Sequence, residues 1–250
     1  MISGKEFYKI CQWNLCGRYQ INFDLNEIKD GDFLFVNLDN IYQIINKFKH
    51  IGLSKKVNLI THNSDLSFND DMLDKLKEYI IKIYPINSTV SDELISKIPI
   101  GFSDRLTPVI LKMPISEDKP TLTYLNFNQT RNNERTECLD LFKPLDWVLY
   151  EHEIPEIEFY TSLSKSKYSL CPTGTGIDTH RFYESIYFKT IPIIKRNQLS
   201  DLHEKFPCVI VDNWNEIDYE FLINNYDSLF RKLSKWVDTN NWTSVDYWIN

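Results

Sequence analysis

Short apolar runs rich in β-branched and aromatic residues alternate along this chain with longer amphipathic stretches, and that alternation constrains the fold more than any other feature. Parallel strands must be joined by crossovers of roughly a dozen residues or more, most often helical. The pattern therefore predicts an α/β protein with parallel sheets. In the first half, 32–38 (DFLFVNL) reads as a strand, 41–50 as a helix and 57–61 (VNLIT) as the next strand. A helix follows over 70–80, with Met72, Leu73, Leu76, Tyr79 and Ile80 at the spacing of one face. Short strands are expected at 81–84 and 98–100.

Pro99, Pro108, Pro114 and Pro120 then break regular structure, and 116–119 is polar and charged, which places a domain boundary near residue 118. Beyond it the alternation resumes: strands at 121–127, 147–150, 168–171, 191–194 and 208–211, helices at 133–142, 157–164, 179–188 and 199–205, and a tail helix over 216–236. The expected organisation is two Rossmann-like lobes, 1–118 and 119–250, the second ending in a helix. Open α/β folds bind ligands at the carboxyl ends of their strands, so site residues should follow strands directly.

Composition narrows the partners. With 28 Lys and Arg against 35 Asp and Glu the net charge is -7, which argues against nucleic acid as the main partner. Lys5, Glu6 and Lys9 fall where a signal peptide would be apolar, and no run of apolar residues is long enough to span a bilayer. Five scattered cysteines without a CxxC pair fit a reducing compartment, so a cytoplasmic location is expected. The richness in Ile, Asn and Lys suggests an AT-rich genome, such as that of a large DNA virus or some bacteria; in the viral case the location would be the host cytoplasm.

The chemistry concentrates in one segment. After the strand KYSLC comes PTGTGIDTHRFYESIYFKTIPII, a loop that opens a helix and carries two of the seven glycines, Gly174 and Gly176. Glycine permits close approach of backbone amides to a ligand, and a helix amino terminus favours an anion, so a diphosphate suits this loop. On the helix, Arg181 and Glu184 share a face. A guanidinium matches phosphate oxygens and a carboxylate matches the hydroxyls of a ribose. A solvated surface ion pair is the plain alternative for those two.

The stretch YSLCPTGTGIDTHRFYESIYFKTIPII resembles the signature of exostosin-like glycosyltransferases, especially the short forms of large DNA viruses, and the likeness extends over about 122–214. The resemblance implies a GT-B fold of two lobes, a nucleotide-sugar donor, UDP-linked, held by the second lobe, a glycan or glycoprotein acceptor, inversion at the anomeric carbon, and no metal or other cofactor. Carried onto this chain, Arg181 would contact the diphosphate, Glu184 the ribose, and Gly174, Thr175 and Gly176 the phosphates. Asp178 would face the donor sugar or cap the helix, and His180 would touch the donor. Relatives often carry Arg where this chain has Thr173, and Arg131 or Arg135 could supply the missing charge. No Asp-x-Asp follows an apolar strand in the manner of metal-dependent transferases, the nearest fragment being Asn37-Leu38-Asp39.

Inverting transfer needs a base for the acceptor hydroxyl. The best placed cluster is His62-Asn63-Ser64-Asp65, after VNLIT, with Asp65 preferred, His62 second and Asp39 next. The same residues could simply form a loop that caps the following helix. Two other classes compete with the transferase: a non-catalytic nucleotide-sugar or glycan-binding module, and an oxidoreductase, which the lack of a full G-x-G-x-x-G after the first strand disfavours.

Overall fold

Pairing between strands is parallel throughout both sheets of the computed structural model, which describes residues 1–18, 20, 22–128 and 132–249. The chain divides into two units, Met1–Gly101 with Thr243–Asn250, and Phe102–Trp242.

The first unit contains α1 (Gly4–Lys9), β1 (Trp13–Leu15), β2 (Phe33–Asn37), α2 (Ile41–Ile51), β3 (Val57–His62), α3 (Asp70–Leu76) and β4 (Ile80–Pro85). Its sheet runs β1-β2-β3-β4, in one direction without reversal. Leu34 and Val36 of β2, Leu59 of β3 and Ile83 of β4 pack with Ile44 and Phe48 of α2 and Leu73 and Leu76 of α3. Each such side chain contributes about 1.5–3 kcal/mol when fully buried. The apolar stripe of α2 thus covers the sheet, and Gly52 ends the helix in the left-handed conformation that glycine adopts without steric cost.

The second unit contains α4 (Thr107–Ile110), β5 (Thr121–Leu125), α5 (Asn133–Phe142), β6 (Val148–Tyr150), α6 (Glu156–Ser164), β7 (Ser166–Leu170), α7 (His180–Tyr187), β8 (Ile191–Lys195), α8 (Ser200–His203), β9 (Val209–Val211) and α9 (Tyr219–Thr239). Its sheet order is β6-β5-β7-β8-β9. The interior strand β8 reads as an apolar run whose first four residues (IPIIK) are buried, whereas the edge strand β6 (VLY) is half exposed. The chain leaves β5 for β6 on one side and returns to β7 on the other. That reversal opens a crevice at the carboxyl ends of β5 and β7, where doubly wound sheets hold their ligands.

Several expectations change. The helix expected over 70–80 stops at Leu76 and Ile80 begins β4, since Tyr79 and Ile80 are buried whether the segment is helical or extended and periodicity does not separate the two. Residues 98–100 form no strand. The tail helix starts at Tyr219, because Glu216 closes a capping box with Asn213 around a short 3-10 turn and Asp218 caps the helix proper through the Phe221 amide. The apolar pattern predicts neither α1 nor β1.

The units part between Gly101 and Phe102, ahead of the expected boundary near 118, and the last residues return to the first unit. The reason lies in 103–120. Ser164 Oγ accepts from the Ser116 amide at 2.8 Å and donates to Pro114 O at 3.0 Å. Lys119, read as part of a polar linker, is 5% exposed. Its ammonium donates to Ser164 O at 2.7 Å, Phe188 O at 3.1 Å and Thr190 Oγ1 at 3.3 Å, joining the carboxyl ends of α6 and α7. No described helix is long and apolar enough to cross a membrane.

Candidate functional site

Two loops meet at the reversal of the second sheet, one following β5 and one following β7, and Asn132 and Arg135 fasten them together. Asn132 caps α5 by accepting the amides of Glu134 and Arg135, at 2.8 and 3.4 Å, which Asn does well at a helix start. Its amide nitrogen meanwhile donates across the crevice to Thr173 O at 3.1 Å and Gly174 O at 2.7 Å. Arg135 donates from Nε to Thr173 O at 2.9 Å and from Nη1 to Asn128 O at 2.8 Å, with its guanidinium 5.4 Å from the Phe127 ring centre. Arg131 lies outside the described residues.

Neither Gly174 nor Gly176 adopts a positive φ. A Cβ on Gly174 would instead stand 2.8 Å from Arg135 Nη2, so the absent side chain makes room for the guanidinium. Gly174 N donates to Gly176 O at 3.0 Å, which closes the loop on itself, and Thr175 is exposed at its tip. Thr173 is held by Glu134, whose carboxylate accepts from the Thr173 amide at 3.2 Å and from its hydroxyl.

Arg181 enters the same crevice from the first turn of α7. It donates to Asn126 O, lies 4.0 Å over the Phe159 ring and is 3.5 Å from Glu184 Oε2. The side chains of Arg181 and Glu184 are 20% and 5% exposed, so the solvated surface pair does not describe them. Glu184 also accepts from the Tyr160 hydroxyl at 2.9 Å, and burial with that neighbouring charge lifts the Tyr160 phenol above its usual range, keeping it a donor. The carboxylate expected at a ribose therefore faces Arg181 and Tyr160. Arg135 and Arg181 feel each other: burial first, and the Arg181 charge second, press the Arg135 guanidinium below its ordinary range. Two neighbouring, partly desolvated cations are relieved by a shared anion.

Asp178 and His180 separate. His180 is half buried at the first position of α7. Asp178 is buried, accepting from the Tyr183 hydroxyl at 2.7 Å and the Thr179 amide at 3.0 Å, with His203 Nε2 at 3.1 Å. It thus ties the start of α7 to Tyr183 and to His203. His203 is its buried partner.

Sequence reasoning missed Asn132, Glu134, Tyr124 and Glu151. Tyr124, on β5, donates to Glu151 Oε2 at 2.8 Å just beyond β6, and both lie at carboxyl ends of this sheet. The signal for Glu151 was its position directly after an apolar run, YEHEIP.

His62 and Asp65 belong to the first unit. His62 is 2% exposed, with ring centres of Phe7 and Phe35 at 5.6 and 6.4 Å, and its Nδ1 accepts from the Asn63 amide at 2.9 Å. Asp65 is exposed on the following loop, and Asn69 rather than Asp65 caps α3, accepting the Met72 amide at 3.1 Å. Asp39 accepts from Ser64 Oγ at 2.7 Å. Asn63 has φ 58°, a left-handed conformation asparagine tolerates, which turns the chain sharply after β3. Among the described residues no group of three or more His, Cys, Asp or Glu could hold a metal ion.

No protein-family model matches the chain, and no curated protein matches it. Among solved structures it is similar to one described as "Crystal structure of GtfA/B complex", with a TM-score of 0.49 at 9% identity, covering 90% of this chain. The chain spans 57% of that structure's length.

Proposed function

We propose that this chain is a glycosyltransferase of the exostosin-like, GT-B kind, moving a sugar from a UDP-linked donor to a hydroxyl of a glycan or glycoprotein. The observation that carries the reading is the placement of two arginines at the reversal point of the second sheet, Arg135 against Thr173 and Gly174 of the glycine loop and Arg181 against Asn126 after β5, close enough that the Arg181 charge acts on Arg135. The likeness of 168–194 to the family signature adds to it. In the reaction the acceptor oxygen attacks the anomeric carbon, the bond from that carbon to the diphosphate breaks, and the nucleoside diphosphate leaves with the electron pair. Arg135 and Arg181 stabilise the charge that develops on the leaving group. Asp65, the accessible member of the cluster after β3, takes the acceptor proton, and the configuration inverts. Glu184 acts through Arg181, holding its guanidinium, and the transfer proceeds without metal.

A panel of nucleotide sugars screened for thermal stabilisation tests the donor, since a ligand specific to the folded state raises the melting temperature. Stabilisation by UDP-sugars and transfer that survives chelator are expected. Transfer lost in EDTA and restored by manganese would overturn the metal-independent reading. The burial of His62 between Phe7 and Phe35 favours a second reading, a binding module without turnover. That module would bind a UDP-sugar and never release the sugar from it.

A further inference from the structure

Immediately before α7, the Asp178 carboxylate is shared by a histidine and a tyrosine in the protein interior. The side chains of Asp178 and His203 are 0% and 3% exposed. Oδ2 accepts from Tyr183 of α7, while Oδ1 faces His203 Nε2 from the end of α8. Burial first, then the Asp178 charge, raises the Tyr183 phenol well above its ordinary range, so it remains a donor. A carboxylate only accepts, hence Nε2 carries the hydrogen. His203 Nδ1 is buried and has no hydrogen-bond partner among the described residues, and the Phe182 ring centre lies 4.5 Å from the imidazole. The contact that ties His203 to its surroundings is therefore the Nε2–H bond to Asp178.

This cluster joins three successive pieces of chain: the loop after β7, the helix α7 and the next crossover. The loop 171–179 is thereby anchored at one end by β7 and at the other by Asp178. Gly174 and Arg181 stand on either side of that anchor. We propose that His203 is a positioning residue of the donor site: through Asp178 it fixes the loop and the first turn of α7 before any ligand arrives. Ordering a loop in advance removes that entropy cost from binding. The identity of the ligand rests on the donor reading above, while the anchoring of the loop does not.

The test uses the full chain in three forms, wild type, His203→Gln and His203→Leu, with hydrogen exchange of 171–179 and calorimetric binding of UDP as readouts. Glutamine can place an N–H near the position of imidazole Nε2–H, and leucine cannot. Removing one hydrogen bond to a charged group should speed loop exchange and weaken UDP binding by about tenfold in His203→Leu, with both largely recovered in His203→Gln. Unchanged loop exchange in His203→Leu overturns the proposal, and equal losses in both variants overturn it by reducing His203 to a space-filler. Should His203→Leu not fold, nitrogen NMR of the wild-type histidines decides: a hydrogen on Nε2 of His203 is expected, and an Nδ1–H ring with a bare Nε2, which cannot donate to Asp178, overturns the proposal. If loop exchange follows the expected order while wild type binds no UDP, the anchor stands and the donor reading falls.

Discussion

Arg135 Nη2 stands 2.8 Å from the point where a Cβ on Gly174 would lie. That single approach couples the loop after β7 to the helix after β5, and it gives Gly174 a packing reason that its backbone torsions do not. Gly174→Ala displaces only the far end of a flexible side chain, so the fold should survive with little change in melting temperature. Loss of the Arg135 position should nonetheless weaken UDP binding by about tenfold, the scale of one charge-assisted hydrogen bond. Calorimetry showing wild-type affinity in Gly174→Ala would remove Arg135 from the site.

Arg181→Ala should do two things at once. It removes a diphosphate ligand, costing roughly 1.5–3 kcal/mol of binding, and it leaves the buried Glu184 carboxylate with Tyr160 as its remaining close partner. Breaking a buried pair on one side costs about 3–5 kcal/mol of stability, an upper figure here because Arg181 is partly exposed. The double variant Arg181→Ala with Glu184→Gln should recover stability in denaturant unfolding while UDP affinity stays low. Recovery of affinity along with stability would make the pair purely structural.

Asp65→Asn should leave UDP-sugar affinity unchanged and slow transfer by roughly 10²- to 10⁴-fold, the usual contribution of a general base. His62→Ala should act mainly on stability, because His62 packs between Phe7 and Phe35. Transfer by Asp65→Asn at the wild-type rate would move the search to Asp39, which accepts from Ser64.

Lys119 makes a pH-dependent contribution. Burial, and then the charge of Lys189, push its folded-state pKa down to about 7 from the ordinary lysine value of 10.5. Between those limits the unfolded chain holds a proton that the native state has released, so stability rises with pH across this window. Its contribution is full above 10.5, falls as pH drops toward 7, and is flat below. Relative to Lys119→Met, wild type should gain several kcal/mol between pH 7 and 10. Measuring the difference between the two proteins cancels the buried tyrosines and cysteines they share. A difference independent of pH would show that Lys119 keeps one protonation state throughout.

The sequence by itself determined what is local. Runs such as IPII and VNLIT stand out because buried strands are dominated by apolar, β-branched side chains. The helix Asn133–Phe142 has the bounds its sequence predicts, and the glycine loop lies between a strand and a helix as its sequence predicts, with the flanking elements each one residue shorter toward it. Tertiary structure decided everything that depends on what packs against a side chain. Glu184 and Asp178 have the same charge and spacing whether they face solvent or the interior, and only their neighbours, Tyr160 and Arg181 for one, Tyr183 and His203 for the other, make them buried acceptors. Lys119 looks like linker until the carboxyl ends of α6 and α7 close around it. Arg135 and Arg181 are far apart in sequence, and the reversal of strand order at β5 and β7 brings them to one crevice. Periodicity records the faces of single elements, whereas burial and charge pairing belong to contacts between elements, which no local pattern encodes.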